Sequence, residues 1–122
     1  LRRMIETDKS INILAEADDG ETAIKLILDH QPDVAVLDID MPKMDGFAVV
    51  REIQKLKLSI ETIFLTMYSE EEMFQAAMDL GVKGYILKDG AVNDIIAAIK
   101  SVAIGRPFIS PALSALLLKR RR

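Results

Sequence analysis

The sequence has no cysteine, which excludes disulfide staples and thiolate metal sites. It has no apolar run near the ~18–20 residues that a membrane span needs, and no signal-peptide pattern. These absences lead us to expect a cytoplasmic protein without a membrane partner. Internal repeats and low-complexity stretches are also missing. Basic charge is scarce outside one place. Lys119, Arg120, Arg121 and Arg122 hold four of the sixteen positive charges, leaving twelve basic against nineteen acidic residues in 1–118. An acidic body argues against nucleic acid binding there, and the basic end reads as an exposed linker.

What is present is a chain of 122 residues, half of them hydrophobic, enough for one domain with a real core. Strand and helix signals alternate along it. Residues 1–8 read as the end of a helix and 11–17 (INILAEA) as a strand. Asp18 and Glu21 form a capping box for a helix whose inner face is Ala23, Ile24, Ile27 and Leu28. Pro32 restarts the chain, and 33–38 (DVAVLD) is a continuous apolar run, as expected of a strand covered on both faces. Asp45 caps a helix over 46–57 that points Phe47, Val50, Ile53 and Leu56 inward. A strand follows at 62–66 (TIFLT), then a capping box of Ser69 and Glu72 opening a helix that Gly81 closes. Residues 84–88 (GYILK) form a short strand. Ile95, Ile96, Ile99, Val102 and Ala103 mark a last stripe, ended by Gly105 and Pro107. Such alternation predicts an α/β fold, a parallel sheet with helices on both faces. The division expected is a domain over 1–105 and a linker over 106–122, with a helical continuation left open. Leu1 at the start and the abrupt basic end suggest a piece of a longer chain.

In an open α/β sheet the working crevice lies beyond the C-terminal strand ends. Three strands end in Asp38, Thr66 and Lys88. A carboxylate, a hydroxyl and an ammonium at one edge suit phosphoryl transfer: the carboxylate attacks phosphorus, and the other two stabilise charge on the transferred oxygens. A cation is needed to let an anionic phosphate approach a carboxylate. Mg²⁺ with carboxylate and carbonyl oxygens is the usual answer.

LDIDMPKMDG at 37–46, with Thr66 in FLT and Lys88 in GYILKD, closely resembles the CheY-like receiver domain of two-component response regulators. GYILKD, AIKSVAIGRPFISP and the absence of proline after Lys88 look most like the NarL/LuxR-type branch. The resemblance runs from residue 1 to about 105. It implies a flavodoxin-like doubly wound sheet of strand order 2-1-3-4-5, with the family's first strand absent from this chain. It also implies roles. Asp38 would accept a phosphoryl group from a sensor histidine kinase. Asp40 would offer its main-chain carbonyl to Mg²⁺, beside the Asp38 carboxylate. Lys88 would bridge to the phosphoryl group, Thr66 would turn toward it, and Tyr85 would swing inward as the second switch residue. DNA would be reached only through a C-terminal helix-turn-helix domain beyond this chain, and a homodimer is among the implied assemblies. One departure concerns the family's acidic pair, which holds Mg²⁺ and follows the absent first strand. Asp18-Asp19 lies after the wrong strand to replace it. Mg²⁺ binding should therefore be weak or lost if these residues are the whole site.

Two rival readings stand beside this one. A haloacid dehalogenase-like phosphohydrolase also uses Asp-x-Asp, Thr and Lys, but needs a further acid pair after the lysine, and no Asp or Glu follows Asp94. An interaction module independent of phosphorylation is the other. The expectation is a signalling switch and not an enzyme. His30 at a helix end, where the dipole favours a cation, reads as structural and not as a phosphoryl carrier.

Overall fold

The computed structural model describes residues 2–90 and 92–120. Arg121 and Arg122 of the basic end lie outside the described residues. The elements are α1 (Arg2–Glu6), α2 (Gly20–His30), β1 (Val34–Asp38), α3 (Gly46–Lys55), β2 (Glu61–Thr66), α4 (Glu71–Asp79), β3 (Gly84–Leu87), α5 (Val92–Ala103), β4 (Phe108–Ile109) and α6 (Pro111–Arg120). The strands form one sheet in the order β1-β2-β3-β4, every pair parallel. This is the expected α/β, flavodoxin-like architecture, with helices on both faces.

Successive side chains on a strand point to opposite faces, and each strand here feeds two cores. On one face Ala35, Leu37, Phe64, Tyr85 and Leu87 pack with Ile27 of α2, Val49, Val50 and Ile53 of α3, Phe74 and Ala77 of α4, and Leu113 and Leu117 of α6. On the other, Ile63 and Ile86 pack with Ile5 of α1 and with Ile95, Ala98 and Val102 of α5. Leu28 and Leu56, expected inward, are exposed; Leu28 lies in the last turn of α2 and Leu56 is the C-cap of α3. Among the described residues no helix is long and apolar enough to cross a membrane.

The caps differ from expectation in two places. Asp45 caps α3 as predicted, accepting from the Ala48 N–H at 2.9 Å. At α2 the cap is Asp19, not Asp18: its carboxylate accepts from Thr22 N–H at 2.8 Å. At α4 the cap position is Glu70, one residue beyond Ser69, and it makes no side-chain cap bond.

Two larger corrections concern the ends of the sheet. Residues 11–17 are not a strand. Their burial alternates as a strand's would, with Ile11, Ile13, Ala15 and Ala17 half-buried and Asn12, Leu14 and Glu16 exposed. A strand also needs a ladder, and residues 12–17 make no backbone–backbone hydrogen bond among the described residues. Between this segment and β1 lies a trough of about 740 Å³ lined by both. The β1 edge facing away from β2 is open, and Val36 there is 37% exposed. The segment read as a linker over 106–122 is the second correction. Phe108 and Ile109 pair with Gly84 and Tyr85, closing the free edge of β3, and α6 then sinks Leu113 and Leu117 into the core. Phe108 and Ile109 also pack against the two cores, so this segment is docked on its own domain.

Candidate functional site

Parallel pairing puts the C-terminal ends of β1, β2 and β3 at one edge. Asp38 is the last residue of β1, Thr66 the last of β2, and Lys88 follows the last residue of β3. Asp38 pairs with Leu65 and Thr66 with Leu87, so the three ends are in register. The Lys88 ammonium reaches across the end of β2 to Asp38, with Nζ 2.5 Å from Oδ2. The other oxygen, Oδ1, accepts the Asp40 N–H at 2.9 Å. One carboxylate is thus oriented by a main-chain donor on one side and a cation on the other, and both side chains remain about a third exposed. Both are reachable from solvent.

The floor beneath is closely packed. Gly46 opens α3 against the end of β1, its N–H donating to Ile39 O at 2.9 Å. A Cβ on Gly46 would lie 3.0 Å from Asp38 O and from the Phe64 ring, a tighter contact than side chains normally make, so the close approach of helix to strand favours glycine here. Phe47 packs edge-on against Phe64, ring centroids 4.9 Å apart.

Thr66 and Tyr85 are both buried, at 1% and 0% exposure, and one residue joins them. Tyr68 donates its N–H to Thr66 Oγ1 at 3.0 Å and accepts the Tyr85 hydroxyl at its carbonyl, also at 3.0 Å. Burial pushes the Tyr85 phenol up to about 12, against a hydrogen bond with Thr66 that pulls it down. Asp40, through hydrogen bonding and charge, raises the Tyr68 phenol above its ordinary value. Sequence reasoning missed Tyr68; its place two residues past Thr66 was the available signal. The Lys88 N–H donates to Thr66 O at 2.7 Å, fastening β3 to β2 at the site.

The donors for Mg²⁺ can be counted from the side chains present. Mg²⁺ demands six oxygens in near-octahedral array, usually with more than one carboxylate or phosphate among them. Asp38 and the main chain of Asp40 are at hand. No group of three His, Cys, Asp or Glu residues that could hold a metal ion occurs among the described residues. Asp19 is committed to Thr22, whose N–H, more than any other group, holds its carboxyl below the ordinary range. These residues do not complete a magnesium site.

Comparison with known proteins agrees with this geometry. The family model described as "Response regulator receiver domain" matches residues 1–100. The chain is 35% identical over 111 residues to the "Probable transcriptional regulatory protein NarL" of Mycobacterium tuberculosis, covering 91% of this chain and 51% of that protein. It spans about half the length of the curated relatives it matches. A two-component response regulator of the LuxR family from Aurantimonas sp. SI85-9A1 superposes with a TM-score of 0.90 at 27% identity, over 98% of this chain and 86% of that one. The isolated REC domain of RcsB from Salmonella enterica serovar Typhimurium, solved with phosphomimetic BeF3⁻, gives 0.85 at 27% identity, over 94% and 86%. The chain belongs to the response regulator receiver domain family, on its NarL/LuxR-type branch.

Proposed function

We propose that this chain is the phosphoacceptor domain of a cytoplasmic two-component transcriptional regulator, taking a phosphoryl group from a sensor histidine kinase onto Asp38. The observation that carries the reading is the 2.5 Å approach of Lys88 Nζ to Asp38 Oδ2, over the end of the strand that holds Thr66. A carboxylate oxygen attacks phosphorus, the bond from phosphorus to the donor breaks, and the donor leaves with its electron pair. Lys88 offsets the negative charge that gathers on the phosphoryl oxygens. Thr66 and Tyr85 then rearrange, because the phosphorylated carboxylate offers contacts that the free one does not. Asp38 and the Asp40 main-chain carbonyl are the Mg²⁺ donors this chain would contribute, and with these alone affinity is weak. The activity is that of a switch and not of a turnover enzyme. Output would pass through a DNA-binding domain beyond this chain. Its relatives' names as transcriptional regulators support this, as does the structure of two RcsB dimers bound to DNA, which also supports a homodimer.

Acetyl phosphate tests the reading. Incubation with and without Mg²⁺, followed by intact mass, should show one added phosphoryl group that disappears in Asp38→Ala. The thin donor set for Mg²⁺ favours one second reading, an interaction module independent of phosphorylation. An unchanged mass under all conditions, with retained folding, would select it.

A further inference from the structure

Ser110 is a polar residue in the core, 1% exposed, with no role in the site described above. It stands between β4 and α6, and Pro111 occupies the first helical position after it, as proline prefers. A serine there ordinarily turns its hydroxyl to the free N–H groups of the helix it precedes. Here the hydroxyl goes elsewhere. Ser110 Oγ accepts the N–H of Leu87, at 3.0 Å and fully buried.

The strand ladder explains why. In the parallel pairing of β3 with β4, Phe108 N–H donates to Lys83 O and Ser110 N–H to Tyr85 O, at 3.0 and 3.1 Å. The next rung would take Leu87 N–H to the carbonyl of Ser110. That carbonyl already accepts Ser114 N–H, the first bond of α6, at 3.0 Å. The hydroxyl supplies the rung that the carbonyl gave up. One residue thus ends the sheet and begins the helix. Leu87 immediately precedes Lys88, and the other β3 residue fastened to Ser110 is Tyr85. Leu113, one turn into α6 and fully buried, lies in the same cluster as Tyr85 and Leu87.

We propose that Ser110 is a positioning residue that couples the β3 end carrying Tyr85 and Lys88 to helix α6, so that a change at Asp38 and Lys88 alters the stability of α6. The proposal rests on the reading of Lys88 and Tyr85 as the moving parts of the site. The chemistry at Asp38 does not need Ser110. Its hydroxyl acts through Leu87, and what it sets is whether α6 feels the site.

Amide hydrogen exchange read by NMR tests the coupling without phosphate. Lys88→Ala perturbs the site directly. It should change exchange of the α6 amides by about fivefold or more in the parent chain. In the Ser110→Ala background the same substitution should leave them unchanged, while Ser110→Thr, which keeps the hydroxyl, should restore the response. The amides of Val49 and Val50 in α3 serve as the unaffected reference. If Ser110→Ala melts α6, Ser110→Cys replaces it, since its thiol fills the site but accepts poorly. An equal effect of Lys88→Ala in both backgrounds overturns the proposal, and so does no effect in either. A second arm repeats the measurement after acetyl phosphate treatment. There the phosphorylated parent should shift α6 exchange and equally phosphorylated Ser110→Ala should not; a shift in both overturns the proposal. Failure of the chain to gain phosphate removes the proposed function, but the Lys88 arm still decides Ser110.

Discussion

Lys88 and Asp38 meet although β2 lies between the strands that carry them. Neighbouring strands are ~4.8 Å apart, so the lysine spans a gap of roughly two strand spacings that no short side chain could cross. Both partners are 35% exposed. A pair so open to water is worth less than about 1 kcal/mol to the fold. Lys88→Met should therefore move the urea midpoint little. It should slow phosphoryl uptake from acetyl phosphate by about tenfold or more, because the charge that faces the transferred oxygens is gone. Urea titration and timed intact-mass measurements on the same preparation separate the two effects. A large stability loss, or an unchanged rate of uptake, would show that Lys88 serves the fold and not the site.

The edge where these residues gather was legible in the sequence because alternating helices and strands force parallel pairing, and parallel pairing sends every strand's C-terminus to one side. Asp38, Thr66 and Lys88 needed nothing more. The segment 11–17 shows the limit of that logic. Its period-two pattern reports which side chains face inward, and it does so correctly, but periodicity says nothing about whether a neighbour exists to hydrogen-bond. The strand β4 failed in the opposite sense: two residues are too few to register a period, and their pairing depends on the edge of β3, where Gly84 and Tyr85 meet Phe108 and Ile109. Tyr68 and Ser110 act largely through main-chain groups or a diverted hydroxyl, and backbone bonds leave no signature in residue type.

Asp8 carries the clearest pH dependence. Its carboxyl is lowered to about 2 by the Lys100 ammonium, with Ser10 donating from both hydroxyl and N–H. The Asp8–Lys100 pair ties the end of α1 to α5. A folded value depressed below the ordinary 3.8 means that the native state favours the ionised form, so this contribution is present above about pH 4 and is lost as pH falls toward 2. Urea midpoints measured at pH 5, 3 and 2 should fall less steeply in Asp8→Asn than in the parent chain. Parallel curves would show that the ion pair contributes nothing to the acid limb.

Tyr85 governs the alkaline side. Its phenol is raised to about 12 by burial, and the ordinary value is 10.0. The unfolded chain then releases this proton first, so stability holds below pH 10 and declines as pH rises toward 12. With two tyrosines and no tryptophan, ultraviolet absorbance reads phenol ionisation cleanly. The titration should show a late step that Tyr85→Phe removes. The same variant deletes the bond to Tyr68 O, and should cost about 1 kcal/mol at neutral pH. Tyr68 is also raised, by Asp40, so the test is the difference between the two titrations: identical curves for Tyr85→Phe and the parent chain above about pH 11, apart from the lost amplitude of one ordinary phenol, would overturn the assignment.

Leu113 decides whether α6 is part of the folded unit. Its side chain has 0% exposure and sits in the larger core with Phe74, Ala77, Tyr85 and Leu87. A leucine in a dangling connector would be replaceable at no cost. One packed on all sides loses its transfer energy and leaves a cavity, together about 2–5 kcal/mol for Leu→Ala. Leu118, four-fifths along the same helix and 68% exposed, is the internal control. Leu113→Ala should lower stability by that amount in urea unfolding, while Leu118→Ala changes it by less than about 0.5 kcal/mol. The difference between two leucines five positions apart measures the docking of α6 directly. Equal, small effects would mean that α6 leaves the domain surface in solution.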